Sequence, residues 1–593
     1  MYPLLRRLTM LSLVSSMLSA QDSRFLEPDL PPVAPAGGPV VKKPADPVEA
    51  SGHDNGDVIL PELKGLVFVD APSAVLESGS SVPGLDFSAV PRLEDEVLVA
   101  KLRTFLDRPA SLHTLELIRT TVSTYLSKTD YPFASIVLPP QDITSGTVQY
   151  LVIESKLGEM EVTGNRYFAS HLFREPIMID EGDSINIREL ESGLAWINRN
   201  GFRHAEALAS EGGDYGTTNF EISVQDRFPL RVYTGYNDNG SQSTDFERVE
   251  YGLNYGNVFG LGHLFNYQLT ADPDFDNLIG HSASYIIDYP WHHSLILSGA
   301  YSSVTSDLPA PFDQEGSTAA LGAKYEIELD SMESLRHFLI LGLDFKQSEN
   351  ALNFSQAAVS DFLTDFMAFS VGYRASLRDR LGETSLQAAV YWAPEGITSH
   401  SSDADFNANR VGADPNFAYG VLFLNRHQPL GAGFDLNVGL TGQIASTNLL
   451  GTEQLVMGGA TAVRGFGSSD LYADRGAVVR TEVATPPVGL LNLFGSKANP
   501  VSESNSDEVI VPGKNLSLQD QIRLIAFYDL GVGGSVDPLP GEEDYRTLQS
   551  CGVGLRYNVQ QNLSINFDYG WQLSEVGAFG EDSRGHVSMQ LSF

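Results

Sequence analysis

The sequence predicts a mainly β protein: an antiparallel transmembrane barrel of about sixteen strands preceded by two small units of β-α-α-β-β order. Three observations carry this. From residue 227 onward, segments of alternating polarity recur between Gly, Asn and Asp turns; they run near the ~9 to 11 residues that cross a bilayer when tilted, and an even number of them suits a bacterial barrel. The sequence closes on "HVSMQLSF", with Val587, Met589, Leu591 and Phe593 on one face, a sequel more natural in lipid than in water. Helical periodicity is confined to 60–226, where it occurs twice in the same order.

Residues 1–20, "MYPLLRRLTMLSLVSSMLSA", place Arg6 and Arg7 ahead of a short apolar run that ends on small residues, the pattern of a secretory signal with Ala20 at the cleavage position. No later apolar run approaches the ~20 residues of a membrane helix, so export without a helical anchor is expected. Residues 21–59 hold Pro28, Pro31, Pro32, Pro35, Pro39, Pro44 and Pro47 among few large apolar residues and read as a Pro-rich linker.

The first small unit, 60–155, begins with the strand "GLVFVDA" and continues with a helical stretch near 94–106. In the helix "SLHTLELIRTTVSTYL", Leu115, Leu117, Ile118, Val122 and Leu126 are expected on one face. Two strands follow, "FASIVLPP" (133–140) and "TVQYLVIES". They predict a three-stranded mixed sheet with 133–140 at an exposed edge, where Phe133, Ser135 and Val137 are candidates to bind an extended chain by strand addition. The second unit, 156–226, repeats the order with "GEMEVTG", a short helix near 168–175, "NIRELESGLAWINRN", "GFRHAEALAS" and "TNFEISVQD". Both units place an aromatic residue after the second helix, Phe133 and Phe202.

Strands of the 227–593 region are expected to begin near residues 228, 246, 263, 280, 293, 316, 335, 365, 384, 415, 432, 475, 520, 547, 562 and 585. In "NLSINFDYGWQL", Leu563, Ile565, Phe567, Tyr569, Trp571 and Leu573 point one way and Ser564, Asn566, Asp568, Gly570 and Gln572 the other. A soluble sandwich reads similarly, so this strand alone leaves both architectures open.

Composition excludes several functions. A net charge of -37 argues against a nucleic-acid partner, which demands a basic stripe; the acidic balance suits solvated loops and lumen. Cys551 alone builds no internal disulfide framework. Neither a G-x-S-x-G elbow nor an H-E-x-x-H helix occurs, so no catalytic residue, metal site or cofactor is expected.

Two short motifs stand out: "VRGF" (463–466), in the long stretch 447–474 between the eleventh and twelfth strands, and "FYDLG" (527–531), in the thirteenth. With the signal, the paired small units and the barrel, they make the chain similar to the outer-membrane transporters of two-partner secretion, the TpsB class, which export haemolysins and filamentous adhesins. The small units resemble that superfamily's polypeptide-transport-associated (POTRA) domains, and the resemblance covers essentially everything from residue 60 onward. It implies that Val463, Arg464, Gly465 and Phe466 lie on a loop folded back into the lumen, facing Phe527, Asp529 and Gly531 of the barrel wall. A loop in a wet, narrow lumen gains little from apolar burial, so an Arg464–Asp529 ion pair is the expected tether.

The resemblance further implies a bacterial outer-membrane location with the POTRA domains in the periplasm. It implies an unfolded secreted partner protein as substrate, outer-membrane lipid around the barrel, and barrel-assembly machinery during biogenesis, with Phe593 as the assembly signal. No cofactor is implied; folding of the substrate outside supplies the energy. One departure stands: family members often begin with a helix that plugs the barrel, whereas the prolines from 28 to 47 argue against a long helix here. Three alternatives remain at the level of sequence: a factor that inserts barrel proteins into the membrane, a passive porin or surface-binding barrel, and an enzyme-bearing barrel.

Overall fold

Helical periodicity ends near residue 226, and the structure divides there too. The computed structural model describes residues 41–42, 57–129, 133–241, 244–306, 312–330, 334–354, 357–468, 470–490, 520–574 and 582–593. The signal expected over 1–20, and the linker apart from 41–42 and 57–59, lie outside these residues. One unit spans Pro32–Phe228 with Pro290–His292, and the other holds Pro229–Tyr289 and His293–Phe593.

The first small sheet comprises β1 (Gly65–Val69), β2 (Gly84–Asp86), β3 (Ser135–Val137) and β4 (Thr147–Ile153), in the order β2-β1-β4-β3. β1 runs parallel to β2 and β4, and β3 antiparallel to β4. It therefore has four strands rather than the expected three; β2 is too short to show a period of two in the sequence. The helices are α1 (Glu96–Arg103), started by Asp95, whose carboxylate accepts the N–H groups of Val97 and Leu98 at 3.0 Å, and α2 (Leu112–Leu126), started by a reciprocal Ser111–Thr114 capping box. On α2 the spacing of Leu115, Ile118, Val122 and Leu126 makes one buried stripe against Leu66, Phe68, Val148 and Tyr150. Leu117 is 46 % exposed, because two residues of helix from Leu115 turn it away from that stripe.

The second small sheet is built from β5 (Lys156–Thr163), β6 (Arg203–Glu211) and β7 (Thr217–Asp226), with α3 (His171–Arg174) and α4 (Ile187–Ile197). β7 is central, parallel to β5 and antiparallel to β6. The linker residues Val41–Lys42 add a short parallel strand beside Ala207 and Leu208 of β6. The two post-helix aromatics part company: Phe202 is enclosed, whereas Phe133 sets its ring edge-on to Phe220 of β7 at 5.3 Å.

The remaining chain forms a closed antiparallel barrel of sixteen strands, from Leu230–Asn237 to Ser583–Ser592. Its closure pairs Tyr233–Asn237 with Ser588–Ser592, and Val232 and Phe593 exchange backbone bonds of 3.1 and 2.9 Å beyond them. The sixth to eighth strands run 17, 20 and 22 residues and so exceed what a bilayer requires. Burial decides the architecture that the alternation left open. In the fifteenth strand Phe567 and Trp571 are each 45 % exposed, while Asp568 between them is buried. Apolar-out and polar-in is the pattern of a barrel bathed in lipid. Near the end where residue 230 enters, cross-strand pairs on the outer face join His263 to Tyr285 and His293 to Tyr325 at 2.8 Å, and His337 to Tyr373 at 3.0 Å. Outward His–Tyr pairs at one end of the strands suit the interfacial aromatic girdle of a membrane barrel.

Candidate functional site in the barrel lumen

The loop between the eleventh strand (Phe434–Ala445) and the twelfth (Arg475–Ala484) leaves the barrel at the end opposite residue 230 and folds back inside. Its stems pair as the short strands Leu455–Val456 and Tyr472–Ala473, and its tip is tightened by a bond from the Val463 N–H to the Met457 carbonyl at 3.0 Å.

Arg464 and its partner Asp529, on the thirteenth strand (Asp520–Gly534), are both 0 % exposed. Arg464 Nε donates to Asp529 Oδ2 at 2.7 Å, Nη2 to Oδ1 at 2.8 Å, and the Arg464 backbone N–H to Oδ2 at 3.1 Å. This is the bidentate fork that a guanidinium can make and an ammonium cannot. The guanidinium carbon lies 3.6 Å from the centre of the Phe527 ring, so the aromatic of the wall motif stacks against the charge that the aspartate pairs. The remaining nitrogen, Nη1, donates to Glu482 of the twelfth strand and lies 3.7 Å from Asp568 Oδ2 of the fifteenth.

The glycines of the two motifs act through the space they leave. A Cβ at Gly531 would lie 2.9 Å from Val463 Cγ2, so its absence admits the valine that precedes the arginine. Gly465 has φ of 86°, a left-handed conformation that glycine adopts at little cost, and a Cβ there would meet the Gly570 carbonyl oxygen at 2.9 Å. Backbone thus lies against backbone where the tip meets the fifteenth strand. Gln572 Nε2 donates to the Gly465 carbonyl at 2.6 Å, and the Gly465 N–H donates to His586 Nε2 of the last strand at 3.1 Å.

The structure brings Val463, Arg464, Gly465, Phe527, Asp529 and Gly531 together, and it adds two things to the sequence reading. First, the tip also has an apolar footing: Val463 and Phe466 are buried with Leu455, Met457 and Leu471 of the loop and Val478 and Leu548 of the wall. The expectation that apolar burial contributes little is corrected here, because the loop carries enough apolar residues of its own to form a small core against the barrel. Second, Glu482, Asp568 and Arg556 join the ion-pair network, with Arg556 bonded to Asp568 through both nitrogens at 2.8 and 2.9 Å. Among the described residues the network sets Arg464, Arg480 and Arg556 against Asp529, Glu482 and Asp568, three charges of each sign. The only sequence signal for these was charge at inward positions of spanning strands, which is costly unless paired.

The other candidates lie elsewhere. Ser135 and Val137 are exposed on the edge strand β3, while Ile136 between them is buried in the core of the first small unit. Phe133 packs on Phe220. Phe593 is 71 % exposed beside the first barrel strand.

Comparison with known proteins agrees with this architecture. A family model of haemolysin secretion/activation proteins ShlB/FhaC/HecB matches residues 216–501, and one of ShlB-type POTRA domains matches residues 81–155. The heme/hemopexin transporter protein HuxB of Haemophilus influenzae is 23 % identical over 533 residues, covering 83 % of this chain and 84 % of that protein. The outer membrane transporter CdiB of Dickeya dadantii is 20 % identical over 396 residues, covering 64 % and 67 %. Among solved structures, CdiB from Escherichia coli superposes with a TM-score of 0.70 at 17 % identity over 93 % of this chain and 92 % of that one. CdiB from Acinetobacter baumannii gives 0.65 at 16 % identity over 99 % of each. At these identities the structural likeness speaks for the fold, and the sequence matches speak for the family. The chain is thus similar to the haemolysin secretion/activation family of two-partner secretion transporters, and like them it is a bacterial outer-membrane barrel with its POTRA domains in the periplasm.

Proposed function

We propose that this transporter exports one large, unfolded partner protein of the haemolysin or adhesin type, and that Arg464 and Asp529 hold the lumenal loop as the inner gate of that pathway. The first POTRA domain takes the substrate by strand addition at β3, where Ser135 and Val137 leave an exposed edge. The chain then crosses the barrel lumen, drawn outward as it folds. The carrying observation is the fully enclosed Arg464–Asp529 pair: a loop fastened by this bidentate bond, by further hydrogen bonds of its tip to the wall and by a small apolar core occupies the space an extended polypeptide must pass.

The test exploits that pairing. With the partner gene co-expressed, Arg464→Asp and Asp529→Arg should each abolish most secretion while the barrel still assembles. Their combination should secrete better than either single reversal. A double variant no better than the singles would mean that the pair does not act as a unit.

A further inference from the structure

A second set of buried contacts holds the stems of the lumenal loop, apart from its tip. It starts in the loop 394–416 between the ninth and tenth strands. There α5 (Asp403–Asn409) is capped by Ser402, whose hydroxyl accepts the Asp405 N–H at 3.3 Å, and its Phe406 is buried among Phe366, Phe417 and Tyr419. Several bonds fix this loop to the eighth strand: Asn409 Nδ2 donates to Thr364 Oγ1 at 3.1 Å, the His400 N–H to Asp365 Oδ1 at 2.7 Å and the Thr398 hydroxyl to the Asp365 carbonyl at 2.9 Å, and the Asp365 N–H donates to the His400 carbonyl at 3.1 Å.

The helix stops at Arg410, whose backbone is extended, and the guanidinium reaches both stems of the long loop. Nη1 donates to Asp474 Oδ1 at 2.6 Å and to the Leu449 carbonyl; Nη2 donates to Asp474 Oδ2 at 2.9 Å. Asp474 is fully buried and also accepts the Leu449 N–H at 3.0 Å, Gln454 Nε2 at 3.1 Å and the Val536 N–H at 3.3 Å. One carboxylate therefore gathers donors from three loops, 394–416, 446–474 and 535–545, all leaving the same end of the barrel. Close by in the chain, Lys346 Nζ and the Tyr419 hydroxyl each donate to the Glu453 carboxylate at 2.6 Å.

We propose that Arg410 is a positioning residue of the transport cycle: with Asp474 it forms an outer latch that must release, separately from the Arg464 tip, before the barrel opens to the outside. The proposal deepens the gating reading above and rests on it for the direction of transport, not for the latch itself. Losing the tip contact alone frees only the hairpin end, because the stems remain bonded to a helix that is itself packed on the wall. Removing Arg410 leaves a buried carboxylate without its counter-charge, which drives the stems apart and lets water in.

Two measurements on the full-length transporter test this, after the barrel is shown to be folded by its heat-dependent migration. In planar bilayers, Arg410→Ala should raise the open probability about tenfold, equivalent to ~1.4 kcal/mol, with Arg410→Lys in between because it keeps the charge without the fork. An unchanged open probability overturns the latch. In the second, Ala413 and Asn448, which already form a parallel bridge between two of the loops, are both replaced by cysteine in a Cys551→Ser background. Oxidation should stop secretion and a reductant should restore it; continued secretion through a verified cross-link overturns the proposal. If the unsubstituted transporter exports no partner protein, the transport reading fails, and the bilayer measurement still decides the latch.

Discussion

At the residue scale, the lumenal motif divides its work between charge and shape. Asp529 receives three bonds from Arg464, one of them from the backbone, whereas Glu482 receives one from the side chain. Asp529→Asn should therefore reduce secretion more than Glu482→Gln, measured as partner protein in the medium at equal transporter levels. Breaking one side of a buried pair costs ~3 to 5 kcal/mol, and the enclosure of Arg464 and Asp529 places them near that range. Gly465→Ala tests shape alone: it leaves every charge in place but sets a Cβ against the Gly570 carbonyl at a left-handed φ. Strain of ~1 to 3 kcal/mol is expected. Protease cutting of the loop at the cell surface should rise while barrel assembly is unchanged.

At the element scale, β3 has one buried and one exposed face. Ile136 is buried against the helices of the first POTRA domain, so Ile136→Ala should destabilise that domain by ~2 to 5 kcal/mol. Faster hydrogen exchange over 60–155 in the full chain would report it. Val137 is exposed, and Val137→Ala should stay within ~0.5 kcal/mol. Ser135→Pro removes a backbone donor from the edge and should weaken capture of the partner in a pull-down without changing the assembled barrel. Full capture by that variant would remove β3 as the docking edge. That an edge strand lies within 133–140 was legible from Pro139 and Pro140, which stop a ladder, although only Ser135–Val137 of that stretch pairs; that Phe133 turns to the neighbouring unit was not, because no local pattern encodes a partner 87 positions away in the chain.

At the scale of the whole molecule, strand parity orients everything else. Odd-numbered barrel strands end away from residue 230, so the loops 394–416, 446–474 and 535–545 originate on the outer surface when the POTRA domains are periplasmic. Protease added to intact cells should spare 60–226 and cut the 60–226 segment only after the outer membrane is breached. Phe593 adds a prediction of a different kind. It touches the first strand through backbone bonds while its ring is exposed, so Phe593→Ala should lower the amount of barrel inserted in cells yet change the stability of the refolded barrel by no more than ~0.5 kcal/mol.

The sequence by itself determined the order of elements and the seats of the two motifs, because periods of 2 and 3.6 and the Gly, Asn and Asp turns between them are local properties. The strand starts read from alternation near 263, 293, 335, 475 and 520 coincide with those in the structure for that reason. It did not determine which face of a strand meets the solvent. An alternating strand is the same string in a sandwich and in a barrel, and only closure, with Phe567 and Trp571 outside and Asp568 within, decided it. Nor could it assign Glu482, Asp568, Gly570 and His586 to the loop tip, or Arg410 to Asp474. These residues lie on strands and loops far apart in the chain, and each meets its partner only because the wall curves round to enclose one returning loop.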